Sequence, residues 1–461
     1  MRISVAGARR PDVSFWALAA LLLLVFLTGG GSRSDIASLV VLRPACALLL
    51  GFGLWGFTRS HLRRYRFVHG MAVAVTGLVL LHLVPLPPAV WRMFPGRELI
   101  ADIDAAAGLG AVWRPISLVP TATWNALFAL IPPLAALILA TRLNDHDRWR
   151  IAVLVIGIGL LSALVAALQL GGDPEGPLYL YRVTNHGSAV GLFANRNHQA
   201  VFLASLFPLL AAFASSARPS AIDPRLRTVA ALAIGAFLLP LLLVTGSRNG
   251  LVTMVIGLAS IPFLYTMPGS ARGTPPGKRA RIVPVVVGLA ILALVVATVV
   301  VGRAVAIDRI VDPTAAEGVR YRAWGSMFAT GMAYFPVGGG FGAFADLFRI
   351  HEPHGLLATS QFAHAHNDWL EVMITGGLPA LLLLGIAVIA FFAMAVRWWR
   401  ARGRRGGNVL LGGAGLWMVA IFGVASFGDY PLRVPSLMCL FCVIVLWISS
   451  LEPDRAATEG V

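Results

Sequence analysis

The segment around His366 combines the residue types that a proton-transfer site at the end of a helix requires. It reads Ala363-His-Ala-His-Asn-Asp-Trp-Leu-Glu and continues into a long apolar run. Asn367 is a good N-cap and Asp368 suits the positive end of a helix dipole, so a helix is predicted to begin just after His366. There the dipole disfavours imidazolium, which leaves His366 neutral and able to act as a general base. The alternative is a histidine that only caps the helix.

Four arginines are candidates for binding an anion on the same side of the protein. They lie at the ends of apolar runs or in a long connecting segment, and they are Arg196, Arg248, Arg320 and Arg322. A guanidinium can form two parallel hydrogen bonds with phosphate oxygens, which a lysine cannot do. The alternative for each is an arginine that only extends to the membrane surface.

Other charged residues are supporting candidates. Asp368 and Glu371 follow His366 in the first turn of the predicted helix. Arg43 lies a few residues into an apolar run, where a charge is costly in lipid and is therefore often functional, unless the run begins later and leaves it at the interface. Asp429 is also a candidate, although its position four residues before Arg433 predicts a local ion pair between the two.

Several other kinds of chemistry lack their sequence signatures. Four histidines, His351, His354, His364 and His366, fall near carboxylates, but their spacing matches no standard zinc pattern, and we predict no metal and no cofactor. The run Gly338-Gly-Gly-Phe-Gly fits no nucleotide-binding fingerprint and predicts a flexible turn. No P-loop, H-E-x-x-H or G-x-S-x-G motif occurs in the sequence.

The elements that carry these residues are predicted to be membrane-spanning helices. Of the 461 residues, 58% are hydrophobic and 13% charged, whereas about 25% are charged in soluble domains, so a soluble protein is excluded. A bilayer core needs about 20 apolar residues per helix. The twelve predicted spans are 15–30, 36–57, 67–86, 118–141, 150–170, 199–215, 228–245, 250–266, 282–301, 369–396, 408–427 and 435–451.

Charge predicts the orientation of these spans. With the N-terminus in the cytoplasm, the cytoplasmic segments carry 23 of the 37 basic residues but only 7 of the 21 acidic ones. This is the asymmetry of the positive-inside rule, and it explains the basic composition without a nucleic-acid partner. Both termini are therefore expected in the cytoplasm, and the candidate site residues on the outer side.

The chain is predicted to divide into three parts: spans one to nine (1–301), a large outer loop (302–368), and spans ten to twelve with a tail (369–461). Within the loop, an amphipathic helix is predicted over 320–335. Its apolar residues on one narrow face are Tyr321, Trp324, Phe328, Gly331, Met332 and Phe335. It either lies on the outer membrane surface, in contact with lipid, or packs as a cap on the helix bundle.

Several short motifs occur in a characteristic order and spacing. The main one is His366-Asn-Asp-Trp-Leu-Glu followed by Gly376-Gly-Leu-Pro. Others are Gly191-Leu-Phe-Ala-Asn-Arg-Asn-His, Thr245-Gly-Ser-Arg, Arg320-x-x-x-Trp, and Phe335-Pro-x-Gly-Gly-Gly-Phe-Gly. Together these motifs resemble the O-antigen ligase/polymerase superfamily. The turn Asp429-Tyr-Pro-Leu-Arg is similar to that of exopolysaccharide polymerases in this superfamily. The resemblance extends over roughly residues 15–450.

The resemblance implies an all-α, GT-C-like glycosyltransferase of the bacterial inner membrane that needs no metal. It implies transfer of a glycan from undecaprenyl diphosphate to an acceptor hydroxyl at the periplasmic face, with His366 essential. Arginines would hold the lipid diphosphate, and the residues that correspond are Arg196, Arg248 and either Arg320 or Arg322. The acceptor would be lipid A core, a growing polysaccharide or a protein. A transporter or flippase of a lipid-linked glycan is the alternative function.

Overall fold

The computed structural model describes residues 10–216, 223–266, 315–357, 361–403 and 406–451. In this part of the chain the α-helices are α1 (Val13–Thr28), α2 (Leu39–Trp55), α3 (Arg59–Arg64), α4 (Arg66–Leu81), α5 (Pro88–Trp91), α6 (Glu98–Ala106), α7 (Pro120–Ala129), α8 (Ile131–Thr141), α9 (Asp145–Gly171), α10 (Arg196–Ser215), α11 (Pro224–Val244), α12 (Arg248–Ala259), α13 (Ile261–Leu264), α14 (Ala315–Ala333), α15 (Phe344–His351), α16 (Asp368–Ala401), α17 (Gly407–Ala425) and α18 (Pro435–Ser449). Strands β1 (Pro85–Leu86) and β2 (Arg114–Pro115) form a short antiparallel pair.

Eleven of the twelve predicted spans coincide with apolar helices, and the ninth, 282–301, lies outside the described residues. Among the described residues, six helical segments are long and apolar enough to cross a membrane: Pro120–Thr141, Asp145–Gly171, Arg196–Ser215, Pro224–Val244, Asp368–Ala401 and Gly407–Ala425. Five further apolar helices are shorter. The prediction of an all-α polytopic membrane protein is confirmed. The count of twelve spans and the GT-C-like arrangement stay predictions.

The segments that connect the helices lie alternately at the two ends of the bundle, as expected for a chain whose helices cross it back and forth. At one end, here called the site end because it carries His366, three hydrogen bonds join distant turns: Ala194 N to Gly30 O (3.0 Å), Ser436 N to Gly29 O (3.1 Å) and Asn249 Nδ2 to Ala425 O (2.9 Å). At the opposite end, Asn408 Nδ2 donates to Asp145 Oδ2 (3.0 Å). Residues that are far apart in sequence therefore meet at the site end.

Helix α10 forms the centre of the bundle. Seventeen of its twenty residues are buried, and it packs against α11, α12 and α17. A helix that is apolar on all sides is expected in such a position, because it has no polar face to expose. Its first turn, which contains Asn197 and His198, is the polar part, and it reaches the site end.

Helix α16 is broken at Gly377, and the glycine-rich run packs against the break. Gly377 has φ 59° and ψ −152°, and a Cβ there would lie 2.2 Å from the Pro336 carbonyl oxygen, so only glycine fits without strain. Leu378 N donates to that same oxygen (2.7 Å), and Gly339 N donates to Ile374 O (2.9 Å). Gly338, Gly339 and Gly340 are buried and hydrogen-bonded, which argues against the predicted flexible turn in this part of the run, whereas Gly342 is exposed.

Helix α14 packs against α16 with a face of small and apolar residues. Ala323, Met327 and Thr330 are buried on that face. Much of the predicted apolar stripe lies on the other side, where Tyr321, Phe328 and Met332 are about half exposed. The helix therefore caps the bundle with one face and presents aromatic side chains on the opposite one.

Candidate active site

The backbone at His366 is held in an uncommon conformation by the residues around it. His366 has φ 48°, in the left-handed region that side chains other than glycine rarely adopt. The Ala365 N–H donates to the Glu371 carboxylate (2.9 Å). The Asn367 side chain accepts from Leu370 N (3.1 Å), so the predicted N-cap is confirmed. These bonds fix the imidazole just ahead of α16.

His366 is paired with Asp429. Nδ1 of the ring lies 3.3 Å from Asp429 Oδ1, and 13% of the His366 side chain is exposed while the Asp429 side chain is fully buried. A carboxylate can only accept hydrogen bonds, so this pairing stabilises the tautomer with hydrogen on Nδ1. Nε2 then has a free lone pair, which is the state that a general base needs.

Asp429 is anchored by three further groups. Asn197 Nδ2 donates to Oδ2 (2.6 Å) and the Tyr430 backbone N–H donates to Oδ1 (3.0 Å). His198 Nε2 lies 3.7 Å from Oδ1, close enough for electrostatic attraction. Burial alone would raise the pKa of Asp429, but the contacts with His198 and His366 outweigh it and hold the pKa well below the usual 3.8. The carboxylate therefore remains charged behind the histidine.

Arg433 binds two other carboxylates, and the predicted local ion pair with Asp429 is wrong. Its Nε donates to Asp368 Oδ1 (2.8 Å), and its Nη1 lies 3.1 Å from Glu371 Oε1. Glu371 Oε1 also contacts His364 Nδ1 at 3.1 Å. The reason is geometric: the short 3₁₀ turn Pro431–Arg433 directs Arg433 toward the start of α16, while Asp429 faces α10.

The ring of Tyr430 lies between these two charge networks. Its centroid is 4.3 Å from that of His364, 4.8 Å from that of His366 and 5.1 Å from that of His198. Burial is the main reason why the pKa of Tyr430 is raised, so the phenol stays neutral. The ring therefore separates the histidines and limits their movement without adding charge.

A pocket at the site end brings together His366 and two of the predicted arginines. Its wall is formed by Asn197, Arg248, Asn249, Arg320, Tyr321, Trp324, His366 and Gly428, and its empty volume, including the part open to solvent, is about 380 Å³. Arg248 is the first residue of α12, and Arg320 comes from α14. Helices from three separate parts of the sequence thus converge on one concave surface, which carries two cations beside a neutral base.

The pocket does not include the other predicted arginines. Arg196, the first residue of α10, uses its backbone N–H to bond Asn185 Oδ1 (3.0 Å), outside the pocket wall. Arg322 is exposed two residues beyond Arg320, outside that wall. Arg43 lies within α2, and its guanidinium donates a hydrogen bond to Asn125 Oδ1 (2.6 Å), outside the pocket wall.

The four clustered histidines also separate in the fold. His351 contacts the Tyr334 hydroxyl (3.0 Å), His354 is exposed, and His364 and His366 contact different carboxylates. Among the described residues, no group of three or more His, Cys, Asp or Glu side chains is arranged to hold a metal ion.

Sequence reasoning missed Asn197 and His198. The motif that contains them points first to Arg196, which is the more obvious ligand for a phosphate. The signal was the position of two polar residues at the start of a helix that is otherwise apolar on all sides, because polar groups buried there need partners. Asp429 is the hydrogen-bond acceptor of Asn197, and its carboxylate lies 3.7 Å from His198 Nε2.

The electrostatics of the pocket favour a neutral His366. Burial lowers the pKa of His366 below its ordinary value of 6.5; the Asp429 hydrogen bond and charge oppose that shift, while the Arg320 and His364 charges add to it. An imidazole that is neutral near pH 7, with Nε2 unprotonated, can remove a proton from a hydroxyl group. Arg248 and Arg320 can balance negative charge that develops nearby.

The fold and the site together define a polytopic helical membrane protein with a histidine–aspartate pair and two arginines around a pocket at one end of the bundle. Residues 230–385 match the family described as O-antigen ligase. This segment includes Arg248, Arg320 and His366, and the match confirms the predicted relationship to the O-antigen ligase superfamily. A search of curated proteins gave no match. The family indicates a membrane glycan ligase or polymerase, an enzyme of the glycosyltransferase type that acts on lipid-linked glycans and acceptors.

Proposed function

We propose that this protein is an inner-membrane glycosyltransferase that moves a glycan from undecaprenyl diphosphate to an acceptor hydroxyl at the periplasmic face, without a metal ion. The observation that carries the proposal is the convergence of His366, Arg248 and Arg320 on one pocket at the site end. The charge asymmetry of the sequence supports an outward orientation of that end.

In the proposed reaction, one C–O bond replaces another at the anomeric carbon of the donor. The acceptor oxygen attacks this carbon, and its proton passes to Nε2 of His366. The bond to the diphosphate breaks with its electron pair, so undecaprenyl diphosphate leaves as an anion and the sugar configuration is inverted. Arg248 and Arg320 stabilise the charge that develops on the leaving group, and Asp429 stabilises the imidazolium that forms.

Arg320, rather than Arg322, is proposed as the loop arginine that contacts the diphosphate. The Arg320→Lys variant keeps the charge but loses the paired hydrogen bonds, so donor affinity is expected to fall about ten- to a hundredfold. The matched variant Arg322→Lys changes an exposed residue outside the pocket, and about twofold or less is expected. Donor binding to the purified protein in lipid nanodiscs is the measurement, and a larger loss in Arg322→Lys would reverse the assignment.

The pH dependence of transfer provides a second test. Protonated His366 cannot accept a proton, so kcat/KM is expected to fall as the pH drops through the pKa of His366, which lies below 6.5. Asp429 raises that pKa, whereas Arg320 and His364 lower it. In Asp429→Asn the acid limb should therefore move to lower pH.

Asp429→Asn should also reduce the transfer rate at pH values above the acid limb, where the rate no longer changes with pH. Asparagine cannot replace the charge-assisted hydrogen bond that sets the His366 tautomer, and about a ten- to hundredfold loss is expected. A limb that moves to higher pH in Asp429→Asn would contradict the proposed role of this carboxylate.

The glycan acceptor can be identified by deleting the gene for this protein in the host bacterium. In a deletion strain, loss of the lipopolysaccharide ladder with accumulation of lipid-linked glycan would assign a ligase. Loss or shortening of secreted polysaccharide would assign a polymerase. Accumulation of the donor on the cytoplasmic side of the membrane would instead support a transporter or flippase.

A further inference from the structure

Helix α14 brings two aromatic residues to the pocket beside its arginine. Tyr321 follows Arg320 directly, and Trp324 lies four residues after Arg320, one helical turn or about 6 Å along the axis. All three line the pocket wall. A group attached to a phosphate at Arg320 would thus be within reach of the two rings.

The indole N–H of Trp324 has no hydrogen-bond partner among the residues that the structure describes. Nε1 is buried, and no described residue accepts a hydrogen bond from it. A buried donor without a partner costs about 1–3 kcal/mol, so such groups call for an explanation. Because Trp324 lines the pocket wall, an acceptor atom of a ligand bound there is a candidate for the missing partner.

The two rings are arranged to present different surfaces. Their centroids are 5.0 Å apart with an angle of 69° between the planes, so the edge of one ring meets the face of the other. Tyr321 is 53% exposed. An aromatic face beside an indole N–H offers both an apolar surface and a hydrogen-bond donor to the same ligand.

We propose that Trp324 and Tyr321 form the subsite for the sugar that is linked to the diphosphate of the donor. The inference rests on the proposed function and extends it. On either side of a lipid diphosphate lie a sugar and an isoprenoid chain, and both could pack on an aromatic ring. Of these two groups, only the sugar has oxygens that can accept from Trp324 Nε1, so the unpartnered N–H favours the sugar over the isoprenoid chain. The diphosphate oxygens can also accept, and a comparison of ligands with and without the sugar separates that case. A site that hydrogen-bonds a substrate hydroxyl also discriminates well against ligands without one.

The test compares two ligands on one protein. Undecaprenyl diphosphate and the lipid-linked glycan extracted from the host are bound to the full chain in nanodiscs, in a His366→Ala background so that binding is measured without transfer. Trp324→Phe keeps a ring but removes the N–H, and it is expected to weaken binding of the lipid-linked glycan about three- to tenfold. Binding of undecaprenyl diphosphate should change less than twofold.

Trp369→Phe is the matched control. Its Nε1 is also buried without a partner in the described part of the chain, but the ring stacks on Phe427, with centroids 5.0 Å apart, and does not line the pocket. This variant should bind both ligands as the parent does. Equal weakening of both ligands by Trp324→Phe, or no effect on either, would overturn the sugar subsite. A wild-type protein that binds the glycan-linked lipid in this sugar-dependent way but transfers nothing would overturn only the transferase proposal.

Discussion

Replacing His366 with alanine is expected to lower the rate of glycan transfer by about 10²–10⁴-fold, the usual contribution of a general base. The contact with Asp429 favours hydrogen on Nδ1 and so an unprotonated Nε2. The pocket wall contains no other imidazole that could accept the proton. The loss should appear in kcat. Donor affinity should change little, because Arg248 and Arg320, the proposed ligands of the diphosphate, remain in place. Single-turnover transfer in proteoliposomes, with lipid-linked glycan in excess of KM, measures this effect.

His354→Ala is the control for this prediction. His354 lies in the same outer segment of the sequence, twelve residues before His366, but it is exposed in a 3₁₀ turn away from the pocket. Its substitution should leave the transfer rate unchanged. Full transfer by His366→Ala would remove the central claim of the proposal, and a transporter of lipid-linked glycans would then become the leading hypothesis.

The parts of the fold that depend on local chemistry could be predicted from the sequence. Apolar runs of sufficient length indicated the helices, because a bilayer requires backbone groups to be satisfied within each span. The start of α16 was also predictable, since Asn367 is an N-cap whose partner, Leu370 N, is three residues away. His366 could be singled out for the same reason: it precedes that cap.

The partners of Asp429 could not be predicted, because they are distant in sequence. The nearest cation along the chain is Arg433, but the carboxylate bonds Asn197, which lies 232 residues away, and His366, which lies 63 residues away. Which neighbour it contacts depends on where the turn before α18 meets the first turn of α10. This contact results from helix packing, and a local pattern of charges does not predict it.

The packing face of α14 could not be predicted from sequence patterns either. The aromatic stripe and the small-residue face are both apolar, and periodicity alone does not distinguish a surface that meets other helices from one that remains exposed. Ala323 and Met327 are buried, whereas Phe328 is half exposed. The packing face is the one that allows close approach to α16, where Gly331 has Met373 as a near neighbour.

The Arg433 network holds the start of α16 to the turn that carries Asp429. Ser426 Oγ donates to Asp368 Oδ2 (3.0 Å), and the Asp368 N–H donates to Ser426 O (2.9 Å). Arg433 joins Asp368 and Glu371 from the other end of the same turn. Asp429 lies between these two attachment points, so the network sets the distance between the carboxylate and His366 without touching the pocket.

Arg433→Met is therefore expected to destabilise the protein by about 3 kcal/mol. Removal of one partner from a buried ion pair leaves uncompensated charge, which typically costs 3–5 kcal/mol, and the lower end applies because 25% of the Arg433 side chain is exposed. The measurement is the free energy of unfolding in mixed detergent micelles. Arg349→Met, which removes an arginine that bonds only the exposed Gln361 among the contacts described, is the control and should have little effect.

A second substitution separates this electrostatic effect from a loss of packing. Glu371 is the most buried carboxylate of the network, and in Arg433→Met its charge lacks a counterion. Adding Glu371→Gln to Arg433→Met removes that uncompensated charge. Part of the lost stability should return, as coupled residues in one ion-pair network deviate from additivity by 0.5–3 kcal/mol. If the two changes instead add, Arg433 stabilises the turn by packing and not by neutralising Glu371. If Arg433→Met unfolds as the parent does, the network does not hold α16 to the Asp429 turn.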